Sequence, residues 1–423
     1  MTHPEVVRKY LATEVAQGRK AGPFLQPPFD TLVGSPMGVI EKKRSNPVKF
    51  RIIHDLSWPA GASVNDHIDP EKFRCFYASF DDAVNLVKRR GVGALMAKLD
   101  LTDAFKHILV RPEDWPLLCS TWEQRQPDGT VVTEFYVDLF LPFGLRSSPR
   151  LFNDYADALE FAMRMEKVKD LLHYLDDYFT VGPPGTDECR TNMDTMVRVC
   201  KDLGFTVNPD KVTDPATTTT FLGIDIDSVK QEARIDPVRL KEITRELRLF
   251  KRARSATKRQ ILSIVGKLHF ICRVCPPGRA FLRRMIDISQ KARHLHHRIK
   301  LNAEFRADIN WWLDYLPDWN GVSILHDADW TDSPDLELFT DASDQGYGCY
   351  LQGHWCQGTF PDMGFKDQQM SINWRELYAA TMALALWGHK FRGKRVLLHC
   401  DNESVVHIMA KASSKSKTMM KLA

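Results

Sequence analysis

Long hydrophobic runs are missing from this 423-residue chain. None reaches the roughly 18 apolar residues that a membrane-spanning helix needs, which argues against a membrane protein. The opening segment, MTHPEVVRKYLATEVAQGRK, has no apolar core of a secretory signal, so the expectation is an intracellular protein, in cytoplasm or nucleus. Cysteine is sparse: nine residues are scattered without a repeating pattern, which suits reduced thiols better than a disulfide framework. Cys272 and Cys275 have the spacing of half a zinc site, but no second CxxC or CxxH pair follows. Two small apolar residues on a helix is the plainer reading. There is no internal repeat and no long low-complexity tract; TDPATTTT (213–220) is a short polar turn. What remains, 43% hydrophobic and 26% charged residues, is ordinary globular composition at a length that allows two or three domains.

A net charge of only +4 hides a strong asymmetry. The stretch from Arg239 to Lys300 holds 18 Lys and Arg against 3 Asp and Glu, a local balance of +15. That excess suggests a polyanion such as nucleic acid as partner; the alternative is a basic, solvated helical face. Within it, Arg283, Arg284 and Lys291 are expected to face phosphates. His294, His296 and His297 read as part of the same polar surface, since no acid or thiol accompanies them as a metal partner.

Residues 1–20 have helical spacing of Val6, Tyr10 and Val15. VGSPMGVIEKK and VKFRIIHDL alternate as two strands joined at SNP, a hairpin over 33–56. Residues 79–90 and 147–166 are helical by period, with Ser79 placed to cap the first. Short apolar strands surround two acidic clusters, ALMAKLDLTDAF and LLHYLDDYFTVG, and the irregular mixture predicts an α+β domain. Residues 236–300 are helical and basic, and 317–335, rich in Asp, Trp and Pro, reads as a linker. A new α/β unit begins at LELFTDAS, with a helix at 373–388 and a strand at RVLLHCD.

Asp100 ends an apolar strand, and Asp176 and Asp177 sit between LLHYL and YFTVG, where two strands would meet at an acidic hairpin tip. Acids among apolar flanks are costly unless a cation compensates them. Two Mg²⁺ ions about 4 Å apart are the usual compensation in phosphoryl-transfer sites. Oxygen donors without His or Cys favour Mg²⁺ or Mn²⁺ over Zn²⁺.

YLDDYF resembles the YxDD motif of reverse transcriptases, KLDLTDAF their first palm motif, and LPFGLRSSPRLF the motif between. GFTVNPDKV and TFLGIDI resemble the next two, and the likeness runs from about residue 33 to 290. RIIHDLSWPAGASVND looks closest to DIRS-like retrotransposons. The resemblance implies a right-hand polymerase of fingers, palm and thumb that extends a primer with dNTPs on an RNA or DNA template, alongside other retroelement proteins. It implies an N-terminal extension at 1–32, fingers and palm at 33–235, a thumb at 236–300 and a connection at 301–334. Asp100, Asp176 and Asp177 match the metal-binding carboxylates. Leu101 matches a residue whose carbonyl meets the nucleotide-bound metal, and Phe105 the residue that excludes a 2′-hydroxyl. Arg51, with Lys43 or Lys42, matches the grip on the incoming triphosphate. Lys211 matches a lysine that protonates the leaving pyrophosphate. Gly144 lets the backbone approach the nucleotide, while Phe143 stands where retroviral enzymes have Gln. Leu222 and Gly223 match the loop that positions the primer end.

FTDAS, WREL and HCDNESVV resemble three leading acid motifs of the RNase H fold, with Asp341, Glu376 and Asp401 as metal-binding acids over 335–423. That family supplies a fourth carboxylate further on, and none follows Glu403 here. The expectation is an incomplete RNase H-like region with weak or no cleavage, in which Leu377 and Leu384 are left exposed.

Overall fold

Proline at the first helical position costs no hydrogen bond, and Pro4 opens helix α1, Pro4–Ala16. The computed structural model describes residues 3–42, 48–125, 129–325, 334–360, 370–416 and 418–422, and divides into two units, 1–219 and 220–423. The helix expected over 1–20 stops early. Gly18 turns the chain at φ 67°, and Lys20 starts strand β1, Lys20–Phe24. Strands β2, Gly34–Lys42, and β3, Lys49–His54, pair antiparallel from Met37↔His54 to Lys42↔Lys49, the hairpin the alternation predicts. Helix α2, Phe80–Arg90, is capped by Ser79, whose side chain accepts from the Asp82 N–H while Asp82 reaches back. Strand β4, Leu95–Asp100, follows, then the antiparallel pair β5, Cys119–Arg125, and β6, Val131–Asp138.

One sheet of the first unit runs β1-β6-β5-β2-β3. Val7 and Leu11 of α1 pack with Met37, Trp122 and Tyr136 of its strands. After helix α3, Ser148–Met165, strands β7, Leu171–Tyr174, and β8, Asp177–Gly182, form a second sheet in the order β4-β8-β7, followed by helix α4, Glu188–Asp202. Tyr178 to Gly182 are all buried, so this strand carries a continuous apolar run instead of an alternation. Leu99, Phe152, Leu159, Tyr178 and Met196 make one core beneath it. Burying each such side chain contributes about 1.5–3 kcal/mol, which fixes the strand ends that carry the acids.

Strand β9, Thr218–Phe221, crosses the unit boundary. It turns into β10, Ile224–Asp227, through Leu222 (φ 48°) and Gly223 (φ 78°), a two-residue turn with both centres left-handed. Strand β11, Glu232–Arg234, leads to helix α5, Pro237–Arg252. Strand β12, Ser255–Thr257, and helix α6, Lys258–Ile271, precede helix α7, Arg283–Ser289. Strand β13, Arg298–Lys300, pairs with β12 and opens into helix α8, Ala303–Trp319. Strand β14, Val322–Ile324, then pairs with β11. The stretch 317–335 is therefore not a plain linker. Its start closes α8 and its next residues are a strand, while 326–333 lie outside the described residues. Phe305, Ile309 and Trp312 of α8 share a core with Leu247, Ile264, Leu268 and Met285. Cys272 and Cys275 are buried in that same core.

The rest of the second unit carries strands β15, Leu336–Ala342, β16, Gly346–Leu351, and β17, His354–Thr359. Helix α9, Ile372–Trp387, strand β18, Val396–His399, and helix α10, Glu403–Lys411, complete it. The sheet order is β17-β16-β15-β18, with β15 and β18 parallel. Leu377 corrects an expectation: it is 1% exposed, packed among Leu338, Trp374 and Val405, whereas Leu384 is 43% exposed.

Candidate active site

Asp100 and Asp177 are direct partners across β4 and β8, so the register alone sets two carboxyl groups side by side. Asp176 occupies the two-residue turn before β8, and its carbonyl accepts from the Leu101 N–H at 3.0 Å. Backbone strain gathers at this point: Asp103 (φ 50°) and Leu175 (φ 54°) are both left-handed. Each such non-glycine residue costs on the order of 1 kcal/mol and persists only where its surroundings impose it. Asn208 donates its N–H to the Asp100 carbonyl at 2.8 Å and starts the turn that carries Lys211. The Lys211 ammonium lies 2.7 Å from Asp100 Oδ1.

The electrostatics follow from that crowding. Burial, the hydrogen bond with Asp100 and the charges of Asp176 and Asp100 push Asp177 up to about 6. Burial, with the charge of Asp100, also raises Asp176. Burial works against the charge of Lys211, but its hydrogen bond and attraction to Asp100 outweigh it and hold the ammonium above its usual range. Three acids thus crowd around the Lys211 ammonium, and the charge of Lys98 also acts on Asp177. This group has the donor chemistry of a hard divalent ion, oxygen only.

Residues 42–226 match the family described as Reverse transcriptase (RNA-dependent DNA polymerase). This segment is a reverse transcriptase domain of retroviral and retroelement type. It is 27% identical over 186 residues to the Gag-Pol polyprotein of gibbon ape leukemia virus, covering 44% of this chain and 10% of that protein. It is 27% identical over 199 residues to Protein P of heron hepatitis B virus, covering 46% of the chain and 24% of that protein. The chain thus matches only a small part of these viral proteins. Among solved structures, a foamy viral protease-reverse transcriptase dRH in complex with ds DNA aligns at TM-score 0.57 and 14% identity, over 99% of this chain and 66% of that one. The foamy viral protease-reverse transcriptase in complex with RNA/DNA hybrid aligns at 0.57 and 16%, over 99% and 51%. Both establish the fold, a mixed helix and sheet architecture of this type.

Other predicted positions of the reverse transcriptase domain can now be placed. Phe105 is 8% exposed, in a short helical turn after Asp103, with its ring 4.8 Å from that of Phe143 and 5.8 Å from that of Phe152. Gly144 has φ 101°, and a Cβ there would lie 2.4 Å from the His54 carbonyl oxygen, so only glycine fits. Asn65 holds this loop, donating to the Gly144 carbonyl at 2.9 Å and accepting from the Arg146 N–H at 2.8 Å. Arg51 is exposed on β3 opposite Ile40. Lys43 lies outside the described residues, as does the side chain of Lys42.

Sequence reasoning missed a buried ionic cluster that takes in Lys106, the residue after Phe105. Asp138 takes Lys20 at 2.7 Å and Lys106 at 3.3 Å, and Lys106 also reaches Glu14 at 3.5 Å. Burial works to raise Asp138, but Lys20 and Lys106 outweigh it and hold its carboxyl low. Burial first, then the charge of Lys20, pushes His54 down to about 3, so this ring beside the cluster is neutral. On the surface side, Arg19 reaches Asp103 at 2.8 Å. Lys106 was visible directly after KLDLTDAF; its partner 32 residues on was not.

The second unit brings a further set of acids together only in part. The parallel register ends at Phe339↔His399, with Asp341 two residues further along β15 and Asp401 two residues past the end of β18. Glu376 points from α9 and is 3% exposed. Burial chiefly, then the charges of Asp401 and Asp341, raises its carboxyl. Ligand atoms of Glu376, Asp401 and Cys400 lie within 4.8 Å of one another, a grouping that does not include Asp341. Cys400 was in plain sight in HCDNESVV and carried no role in the sequence reading. In the basic segment, Arg283 and Arg284 are not free for phosphates. Arg283 pairs with Asp287 at 2.9 Å, and Arg284 with the fully buried Asp308. Lys291, Arg293, Arg298 and Lys300 instead line one depression with His297.

Proposed function

We propose that this chain is an RNA-directed DNA polymerase of a retroelement, extending a primer on an RNA or DNA template with deoxynucleoside triphosphates. The observation that carries it is the facing of Asp100 and Asp177 across β4 and β8, with Asp176 in the turn and Lys211 against Asp100, inside a reverse transcriptase domain. Oxygen donors whose charges are mutually costly fit Mg²⁺ or Mn²⁺, and Asp100, Asp176 and Asp177 would hold them. Bound there, such ions activate the primer 3′-hydroxyl and neutralise charge on the triphosphate. Lys211 keeps a proton at this edge of the site, in place for the departing pyrophosphate. Phe105 walls the sugar pocket, the close backbone at Gly144 receives the nucleotide, and Leu101 offers its carbonyl. Arg51, with Lys43 or Lys42, grips the triphosphate.

Residues 33–235 serve as fingers and palm and 236–300 as a thumb whose positive charge holds the duplex by its phosphates without reading sequence. Likeness to foamy viral enzymes seen with ds DNA and with RNA/DNA hybrid supports a template-primer partner. The wording near Arg51 supports a DIRS-like origin. Asp341, Glu376 and Asp401 support an RNase H-like reading of 335–423. The test is primer extension on a defined RNA template with dNTPs and Mg²⁺. Template-directed product is expected. Tight template binding with no product under Mg²⁺ or Mn²⁺ would reduce the chain to a nucleic-acid-binding remnant.

A further inference from the structure

Cys400 has no part in the polymerase or RNase H-like readings, yet it stands inside the second acidic group. It follows β18, and its Sγ and one oxygen each of Glu376 and Asp401 all lie within 4.8 Å of one another. Glu376 adds an independent sign of a ligand. The residue is 3% exposed, and its Oε2 has no hydrogen-bond partner among the described residues. A buried, unpartnered carboxylate oxygen is costly, and a cation is the natural compensation. The segment that presents the thiol is fixed: the Asn402 side chain donates to Asn373 Oδ1 of α9 at 2.8 Å and accepts from the Val405 N–H at 3.1 Å. His399 faces other partners, lying 3.1 Å from Glu337 and stacked on Phe339.

Donor chemistry decides which ion such a group prefers. Zinc binds thiolate at about 2.3 Å and carboxylate at about 2.0–2.2 Å in tetrahedral geometry, so donors sharing an ion lie about 3.4–3.6 Å apart. Side-chain rotation that brings the donors inward by about 1 Å closes the set. Oxygen-only groups suit magnesium; adding a thiolate shifts preference to softer ions. We propose that Glu376, Cys400 and Asp401 form a mixed thiolate and carboxylate site that binds a thiophilic divalent cation, of the zinc and cadmium class, in preference to magnesium. Asp341, which lines the same open depression as Cys400 and Asp401, or water fills the remaining position. Binding requires the thiol to release its proton to solvent as the metal–sulfur bond forms. The inference does not rest on the polymerase reading, because it concerns metal binding alone.

The experiment titrates the full chain with Cd²⁺ in excess Mg²⁺ and follows the ultraviolet charge-transfer absorption of a cadmium thiolate. A saturable band at one equivalent is expected, and Cys400→Ser and Cys400→Ala should both lose it while circular dichroism stays unchanged. Glu376→Gln should keep the band but weaken binding by at least the roughly tenfold that even an outer-shell change costs a metal site. The same band in both Cys400 variants would place the metal on other thiols and overturn the proposal. So would no band in the unaltered chain, or a Glu376→Gln affinity equal to it.

Discussion

Asp177 is where pH should act within the acidic hairpin. Its carboxyl is raised from 3.8 to about 6, by burial and then by its acidic neighbours. A raised acid is protonated more readily in the folded than in the unfolded chain. Its contribution to stability is therefore present below about pH 4 and lost as pH rises through about 6. Above that, the ionised group is a liability that a divalent cation would relieve. The expected outcome is twofold. Divalent binding to the first unit should weaken as pH falls through about 6, and Asp177→Asn should flatten that dependence and raise metal-free stability at neutral pH. Thermal unfolding with and without chelator, across pH 4–8, reads both; a chelated Asp177→Asn protein no more stable at pH 7 than the original would contradict the cause assigned to the shift. Phe105 supports a second residue-scale prediction. Its ring packs against Phe143 and Phe152, so Phe105→Val opens space without adding a polar group. Ribonucleotide incorporation should rise against deoxynucleotide incorporation in a direct competition, and an unchanged ratio would remove Phe105 as the sugar gate. These acids and this ring were legible because each ends or follows an apolar run at a fixed spacing. The Phe143 contact was not, since only the fold brings the rings together.

Among the elements, the basic helices show where charge counting misleads. Arg283 and Arg284 look like phosphate ligands in sequence, yet each is held by an acid, and Arg284 neutralises an aspartate with no exposed side-chain surface. Removing Arg284 leaves Asp308 buried without its cation, a loss on the order of 2 kcal/mol after allowing for partial exposure of the arginine. Arg284→Ala should thus lower the denaturation midpoint and barely change the salt dependence of duplex binding. Neutralising Lys291, Arg293, Arg298 and Lys300 should do the reverse, flattening the log–log salt slope by about 0.9 for each phosphate contact removed. Equal slopes in the two variants would move the duplex surface elsewhere. The same limit explains the ionic cluster around Asp138: Lys20 lies 118 residues from it, so nothing local announces the pair. Periodicity did predict the β2–β3 hairpin, α2 with its Ser79 cap, and the acidic hairpin of β7 and β8. It failed at 317–335, where Trp and Pro suggested a loop. The aromatic residues of α8 instead stack on one another, Trp311 on Tyr315 at 4.7 Å, and its end feeds strand β14.

For the whole molecule, the central claim is that the first unit performs nucleotidyl transfer with its three clustered acids, while the charge of the second holds nucleic acid. The solved structures it resembles share its fold at 14–16% identity, so activity must be read from the site and measured on this chain. Among the described residues no helix is long and apolar enough to cross a membrane. The deciding measurement is single-nucleotide incorporation on an RNA-templated primer by the original chain and by Asp176→Asn, with template-primer affinity measured on the same preparations. On the role proposed for that carboxylate, metal binding and not duplex grip, the rate should fall by more than about a hundredfold while affinity stays within about twofold. Incorporation surviving above about one hundredth of the original rate, at unchanged affinity, would contradict the role given to the acidic hairpin.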